Sequence, residues 1–339
     1  MVIVLKSTAT EDQKNRIIGK LKDYGFKVHI SEGVEKTIIG AIGDERVLEN
    51  KPLSSLEGVE KVIPILKPYK IVSRDFKKED AIVEVGNVKF GPPYINVIAG
   101  PCSVESEEMI FAIAEKVANS GAKLLRGGAY KPRTSPYSFQ GLGVEGLKYM
   151  RKAADAYNLY VVTELMDPRN LDILLEYADM IQIGARNMQN FKLLSDVGKS
   201  KKPVLLKRGL CSTIKEFLMA AEYIANEGNY NIVLCERGLR SFDPETRNLL
   251  DLSAIPVIKQ NSYLPVIVDP SHGTGRRDCI EPMSLASIAA GADGLIIEVH
   301  TNPDEALSDG DQSIRPTEFA NITKKIGEIS KILGKQFEY

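Results

Sequence analysis

From residue 94 to the end of the chain, short apolar runs alternate with longer helix-like stretches eight times over. The runs are YINVIAG, AKLLRGG, LYVVTEL, MIQIG, PVLLKRG, NIVLCERG, LPVIVDP and GLIIEVH. Between them lie stretches of helical character, among them 107–118, 213–226 and 284–290. A chain that alternates strand and helix in this way builds a parallel sheet. Eight units spread over about 240 residues fit one closed arrangement, an α/β (β/α)8 TIM barrel. A doubly wound open sheet is the alternative, but no GxGxxG follows the first strand.

The residues ahead of the barrel have another rhythm. VIVLK reads as a strand, and 10–24 as an amphipathic helix with Ile17, Ile18 and Leu21 on one face. FKVHIS and KTIIGAIG read as strands divided by a Ser-Glu-Gly turn. A second helix around 45–56 and a last strand, VEKVIPIL, complete a βαββαβ order, a ferredoxin-like fold. The expected organisation is a small α+β domain over 1–66, a polar linker over 67–80, a hairpin over 81–91 and the barrel over 92–339. The hairpin turns at Gly86-Asn87, a two-residue turn signal.

Charge excludes some partners. With 44 Lys+Arg against 45 Asp+Glu, no bulk attraction to nucleic acid or to an anionic membrane is expected. The first apolar run, MVIVL, is too short for a signal peptide, and no run approaches membrane length. The four cysteines form no CxxC pair, which fits a cytoplasmic protein with reduced thiols.

Barrel chemistry concentrates at the C-terminal ends of the strands. The unusual polar residues of this chain collect there. In strand order these ends carry Cys102, Arg126, Glu164, Arg186, Lys207, then Glu236 with Arg237, Asp269, and Glu298 with His300. A single strand-end charge usually just reaches solvent, but eight in succession describe a site.

Two chemistries mix in this ring. Arg126, Lys131, Arg133, Arg186, Lys207 and Arg237 make a positive mouth suited to more than one phosphate or carboxylate. Cys102, His272, Glu298 and Asp309 offer a thiolate, an imidazole and two carboxylates, a set suited to a divalent transition metal. Their spacing does not decide the matter, since a lone cysteine after a strand also serves as a small buried hydrophobe. His300, two residues after Glu298, shares its strand parity and competes as a ligand.

The blocks AGPCSVES, LLRGGAYKPRTSPYSFQGLG, QIGARNMQNF, VDPSHGTG and IEVHTNPDEALSDGDQS resemble those of the 3-deoxy-D-arabino-heptulosonate 7-phosphate (DAHP) synthases. The resemblance is to the branch related to the 3-deoxy-D-manno-octulosonate 8-phosphate synthases and covers roughly 80–335. It implies a transferase that condenses phosphoenolpyruvate with erythrose 4-phosphate at the first step of the shikimate pathway. It also implies one divalent ion (Mn2+, Fe2+, Zn2+ or Co2+) on Cys102, His272, Glu298 and Asp309. Phosphoenolpyruvate would lie on Arg126, Lys131, Arg186, Lys207 and Arg237, and the sugar phosphate on Arg133 and Thr134. KPRTS at 131–135 points to erythrose 4-phosphate, because the octulosonate enzymes resemble KANRSS there.

Within that reaction Lys131 is the candidate proton donor and Glu164 the candidate for orienting water. The small domain resembles amino-acid-sensing modules of some relatives, which implies feedback inhibition by tyrosine or phenylalanine, with His29 and Ser31 on one strand face as candidate effector contacts. The family commonly forms homotetramers. Two rivals remain open: the octulosonate synthase reaction, and a Schiff-base aldolase using Lys207 or Lys131.

Overall fold

The computed structural model describes residues 1–33, 36–48, 51–64, 68–131, 135 and 137–337. The chain divides into two compact units, Met1–Pro68 and Tyr69–Tyr339.

In the first unit, strand β1 (Val2–Leu5) leads into helix α1 (Glu11–Asp23), followed by β2 (Lys27–Glu32), β3 (Thr37–Ile42) and β4 (Val59–Ile63). Thr10 and Gln13 close a capping box at the start of α1, which satisfies amides that the helix itself cannot pair. The sheet order is β2-β3-β1-β4 with every neighbour antiparallel, the ferredoxin-like arrangement. Ile3, Leu5, Ile17, Leu21, Phe26 and Ile39 form its core. The helix expected over 45–56 is replaced by two short 3-10 turns, Glu45–Leu48 and Leu53–Ser55. Pro52 stands between them; it has no amide hydrogen to donate, and it disfavours helical backbone at Lys51.

The second unit opens on residues expected to be linker. Those described are instead seated on the barrel. The amides of Lys70, Ile71 and Val72 donate to the Glu222 carboxylate at 2.9, 2.9 and 3.0 Å. Tyr69 and Val72 are buried in the barrel's outer core, and Arg74 Nε donates to the Lys259 carbonyl at 2.9 Å. Hydrogen-bond partners supplied by distant helices turn a polar, aperiodic stretch into a strap.

Eight parallel strands follow: β7 (Tyr94–Gly100), β8 (Leu124–Arg126), β9 (Tyr160–Glu164), β10 (Met180–Ile183), β11 (Val204–Lys207), β12 (Ile232–Glu236), β13 (Val266–Val268) and β14 (Gly294–Glu298). Each pairs with the next, and β14 closes on β7 with Glu298 opposite Gly100. The hairpin β5 (Val83–Val85) and β6 (Val88–Phe90) turns at Gly86-Asn87. Its Val83, Val85, Val88 and Phe90 share one apolar cluster with the barrel-lining Ile98, Leu124, Val162, Met180, Leu205 and Ile296. Several of these come from early positions in their strands, so the hairpin fills the N-terminal end of the barrel and leaves the C-terminal end for chemistry.

Candidate active site

Local sequence explains how the site is held. In DPSHGTG, Asp269 caps the short helix Pro270–Thr274, its side chain accepting from the His272 amide at 2.9 Å. Pro270 occupies the first helical position, and Gly275 ends the turn in the left-handed region at φ 70°. His272 is therefore fixed by its own loop. At Gly100 a Cβ would lie 2.1 Å from the Arg126 carbonyl oxygen, so only glycine lets β7 end against β8 and deliver Cys102. Asp309 is a non-glycine residue at φ 53°, ψ 37°, backbone strain of a kind that gathers at functional sites.

Cys102 lies at the centre. Its Sγ is 3.1 Å from Asp309 Oδ2, 3.0 Å from Ser308 Oγ and 2.9 Å from Lys131 Nζ. Lys131 also donates to the Cys102 carbonyl at 2.9 Å. Arg126 Nη1 donates to Glu298 Oε1 at 2.8 Å, and His272 Nε2 stands 3.6 Å from the same oxygen. The Cys102 sulfur and one carboxylate oxygen each of Glu298 and Asp309 all lie within 4.8 Å of one another. His272 borders this group through Glu298.

Burial pushes the Cys102 thiol up to about 12, and Glu298 adds to the effect while Lys131 opposes it. Burial also works against ionisation of Asp309, but His272, the hydrogen bond from Cys102, Arg247 and Lys131 outweigh it and hold Asp309 at about 2. Glu298 is likewise held low, His272 and Arg126 overcoming its desolvation. His272 is lowered by burial above all. Asp269 is fully buried, 2.5 Å from Lys207 Nζ and 2.8 Å from His272 Nδ1, and these neighbours keep it well below the usual carboxylate range despite burial.

Above these groups opens a cavity of about 250 Å³. Arg126, Lys131, Arg186, Lys207, Arg237, Arg240 and Arg247 line it, against the acidic Glu164 and Asp309. Cationic charge is graded by depth. Arg126, Lys207 and Arg237 are buried at the floor, while Arg186, Arg240 and Arg247 are exposed at the rim. Arg237 Nη1 is buried without a hydrogen-bond partner, and burial lowers the pKa of this guanidinium. An unpartnered donor of this kind marks a place prepared for an anion. Glu164 Oε2 accepts from Gln182 Nε2 at 3.2 Å, and a Cβ on Gly184 would come within 2.0 Å of Glu164 Oε1.

The DAHP synthetase I family matches residues 79–335, and the DAHP synthase ferredoxin-like domain matches residues 1–67. The chain belongs to the DAHP synthetase I family. Phospho-2-dehydro-3-deoxyheptonate aldolase of Thermotoga maritima is 53% identical over 334 residues, 98% of this chain and 99% of that protein. The crystal structure of that DAHP synthase superposes with a TM-score of 0.96 at 52% identity, covering 99% of this chain and 98% of the other. A truncated form of the Thermotoga synthase gives 0.75 at 51% identity, covering 79% of this chain and 98% of its own. 2-Dehydro-3-deoxyphosphooctonate aldolase of Citrifermentans bemidjiense is more distant, 30% identical over 272 residues, 75% of this chain and 98% of its own. This member of the DAHP synthase family is thus an enzyme of the transferase class.

The fold brings Cys102, His272, Glu298 and Asp309 to one place, and sets Arg126, Lys131, Glu164, Arg186, Lys207 and Arg237 around one cavity. Arg133 and Thr134 lie outside the described residues. His29 and Ser31 share the exposed outer face of β2, opposite Gly40 and Ile38. His300 has other partners: its Nδ1 accepts from the Asn302 amide at 3.1 Å and its Nε2 faces Glu105 at 3.6 Å. Glu236 is no part of the cavity lining; it is buried in an ion pair with Arg208 at 2.8 Å. Sequence reasoning missed Arg240, Arg247, Gln182 and Asn248, all of which line the cavity. The two arginines sit in the long loop after β12, beyond the strand-end positions that supplied the other candidates. Among the described residues, no helix is long and apolar enough to cross a membrane.

Proposed function

We propose that this enzyme condenses phosphoenolpyruvate with erythrose 4-phosphate in this cavity, giving DAHP and phosphate, the entry step to aromatic amino acid biosynthesis. One observation carries the reading: among the described residues seven cationic side chains line the cavity, beside buried Cys102 and Glu298 and half-buried Asp309. Two multiply charged anions would repel each other in water, and a preorganised cationic wall offsets that repulsion while fixing their approach.

The donor set fits a divalent transition ion. A sulfur, two carboxylates held ionised and a neighbouring imidazole suit Mn2+, Fe2+, Zn2+ or Co2+ better than Mg2+ or Ca2+. Cys102, His272, Glu298 and Asp309 would hold it, and when bound it would supply Lewis-acid polarisation of the sugar aldehyde.

The residues then divide the work. Arg126, Lys207 and Arg237 at the floor bind phosphoenolpyruvate, with Arg186 at the rim; Arg133 and Thr134 receive the sugar phosphate. C3 of phosphoenolpyruvate bonds to the aldehyde carbon, and Lys131 gives its proton to the forming alkoxide. Water adds at C2, losing a proton to Glu164, and the phosphate departs with cleavage of its bond to C2. Ion pairing of Lys207 with Asp269 favours this reading over a Schiff-base aldolase, whose nucleophile must be a free amine.

The test is phosphate release from phosphoenolpyruvate with erythrose 4-phosphate or arabinose 5-phosphate, with and without chelator. Release requires the four-carbon sugar and is lost to chelation. A preference for arabinose 5-phosphate, or adduct trapping by borohydride, would overturn the proposal.

The ferredoxin-like domain confers feedback inhibition by tyrosine or phenylalanine, with His29 and Ser31 contacting the effector. Their shared exposed strand face supports this. Inhibition that persists undiminished in His29→Ala and Ser31→Ala enzymes would remove both residues from that role. Light scattering tests the homotetramer expected of the family.

A further inference from the structure

Gln312 does not line the cavity, yet it is built into the wall behind it. The side chain is 2% exposed, and both ends of its amide are engaged. Nε2 donates to Glu298 Oε2 at 2.6 Å, while Oε1 accepts from Arg247 Nη1 at 2.6 Å. The same Arg247 Nη1 stands 3.4 Å from Asp309 Oδ1. Glu298 Oε1 is taken by Arg126 at 2.8 Å. The two carboxylates are therefore joined by a bridge that runs Glu298, Gln312, Arg247, Asp309. The amide can point only one way. Reversed, its carbonyl would face the Glu298 carboxylate and its NH2 the Arg247 guanidinium, two repulsive contacts in place of two attractive ones.

We infer that Gln312 is a positioning residue for the ion site, a strut that sets the orientation of Glu298 and, through Arg247, its separation from Asp309. The inference rests on the reading of Cys102, Glu298 and Asp309 as ion ligands. Glu298 is fully buried, so an oxygen deprived of Gln312 has no water to replace it. The carboxylate would then turn towards whatever donor remains, and its ligand geometry would be lost. Outer partners that orient ligating groups in this way typically contribute about 10–100-fold to metal affinity.

The experiment uses full-length, metal-free protein and titrates Zn2+ against a chromophoric chelator, and Co2+ by its visible d–d bands. Gln312→Leu keeps the volume and removes both hydrogen bonds. It is expected to weaken Zn2+ binding about 10–100-fold and alter the Co2+ d–d envelope, leaving the thiolate-to-cobalt charge-transfer band of Cys102 in place. The thermal midpoint of the metal-free variant separates this from general loosening: it should fall by only the few degrees that an unsatisfied buried carboxylate oxygen entails, with a single cooperative transition kept. Arg247→Met removes only the outer end of the strut and carries the test should Gln312→Leu fail to fold; it should weaken Zn2+ several-fold. Zn2+ affinity within twofold of the parent and an unchanged Co2+ spectrum, in whichever variants fold, overturn the inference. A parent that takes up neither ion would refute the ion-site reading itself, and the strut with it.

Discussion

Lys131 Nζ stands 2.9 Å from Cys102 Sγ, so the sulfur already has a cation at its side. Burial nonetheless pushes this thiol up to about 12, and at neutral pH it keeps its proton. Glu298 and Asp309 are held below ordinary carboxylate values and bring no proton of their own near neutrality. A divalent ion that binds the thiolate must therefore expel one proton. Below pH 12 every unit of pH gained removes a tenfold competition, so apparent affinity should rise about tenfold per unit between about pH 7 and 9. Calorimetry in buffers of different ionisation enthalpy measures the proton. Cys102→Ser should weaken binding and flatten the slope; an unchanged slope would contradict sulfur ligation.

Glu164 lines the cavity and accepts a hydrogen bond from Gln182. Glu164→Gln keeps the shape and the hydrogen-bonding capacity but cannot take a proton from water. We expect kcat to fall about 100–10,000-fold, with KM for both substrates little changed. Steady-state kinetics decide this, and full turnover would exclude Glu164 from the water-orienting role.

Asp269 carries two partners at once, Lys207 and His272, from a position of zero exposure. Asp269→Asn leaves the buried Lys207 ammonium without its counter-charge, which costs about 3–5 kcal/mol. The sign with pH follows from a depressed carboxylate. The parent's advantage is complete above the ordinary Asp value and shrinks as acid protonates Asp269. Denaturant unfolding at neutral and acidic pH should show the gap between parent and variant narrowing on acidification.

Gly86 turns the hairpin at φ 59°, and a Cβ there would lie 2.0 Å from Tyr160 Cζ. Gly86→Ala should destabilise the barrel by about 1–3 kcal/mol through overpacking and backbone strain. Adding Tyr160→Ala removes the clash but not the strain, so the double variant should lose less than the two single losses combined. Strict additivity in thermal unfolding would count against the contact.

The eight barrel strands were legible because apolar runs buried on both faces stand out against amphipathic helices. The ring of functional groups was legible for a related reason: charge at the end of such a run has no packing purpose. Other parts had no local signal. Residues 69–80 are ordered by Glu222 and Lys259, more than a hundred positions away, and nothing in a polar aperiodic stretch announces such partners. Gln312 is uncharged and Arg247 lies deep in a loop, so neither draws notice until the fold sets them between two carboxylates. Glu236 and His300 show the opposite error. Both sit at strand ends, yet Arg208 claims the first and the Asn302 amide the second.

Among the described residues, the hairpin of Val83 to Phe90 occupies the N-terminal end of the barrel and leaves the rim as the way in. With the far end corked by valines and a phenylalanine, whatever reaches the floor must pass the rim, and must leave the same way. Traffic in such a vessel obeys a last-in, first-out rule. On the reading proposed above, the reactant that settles on Arg126, Lys207 and Arg237 would have to arrive before its partner.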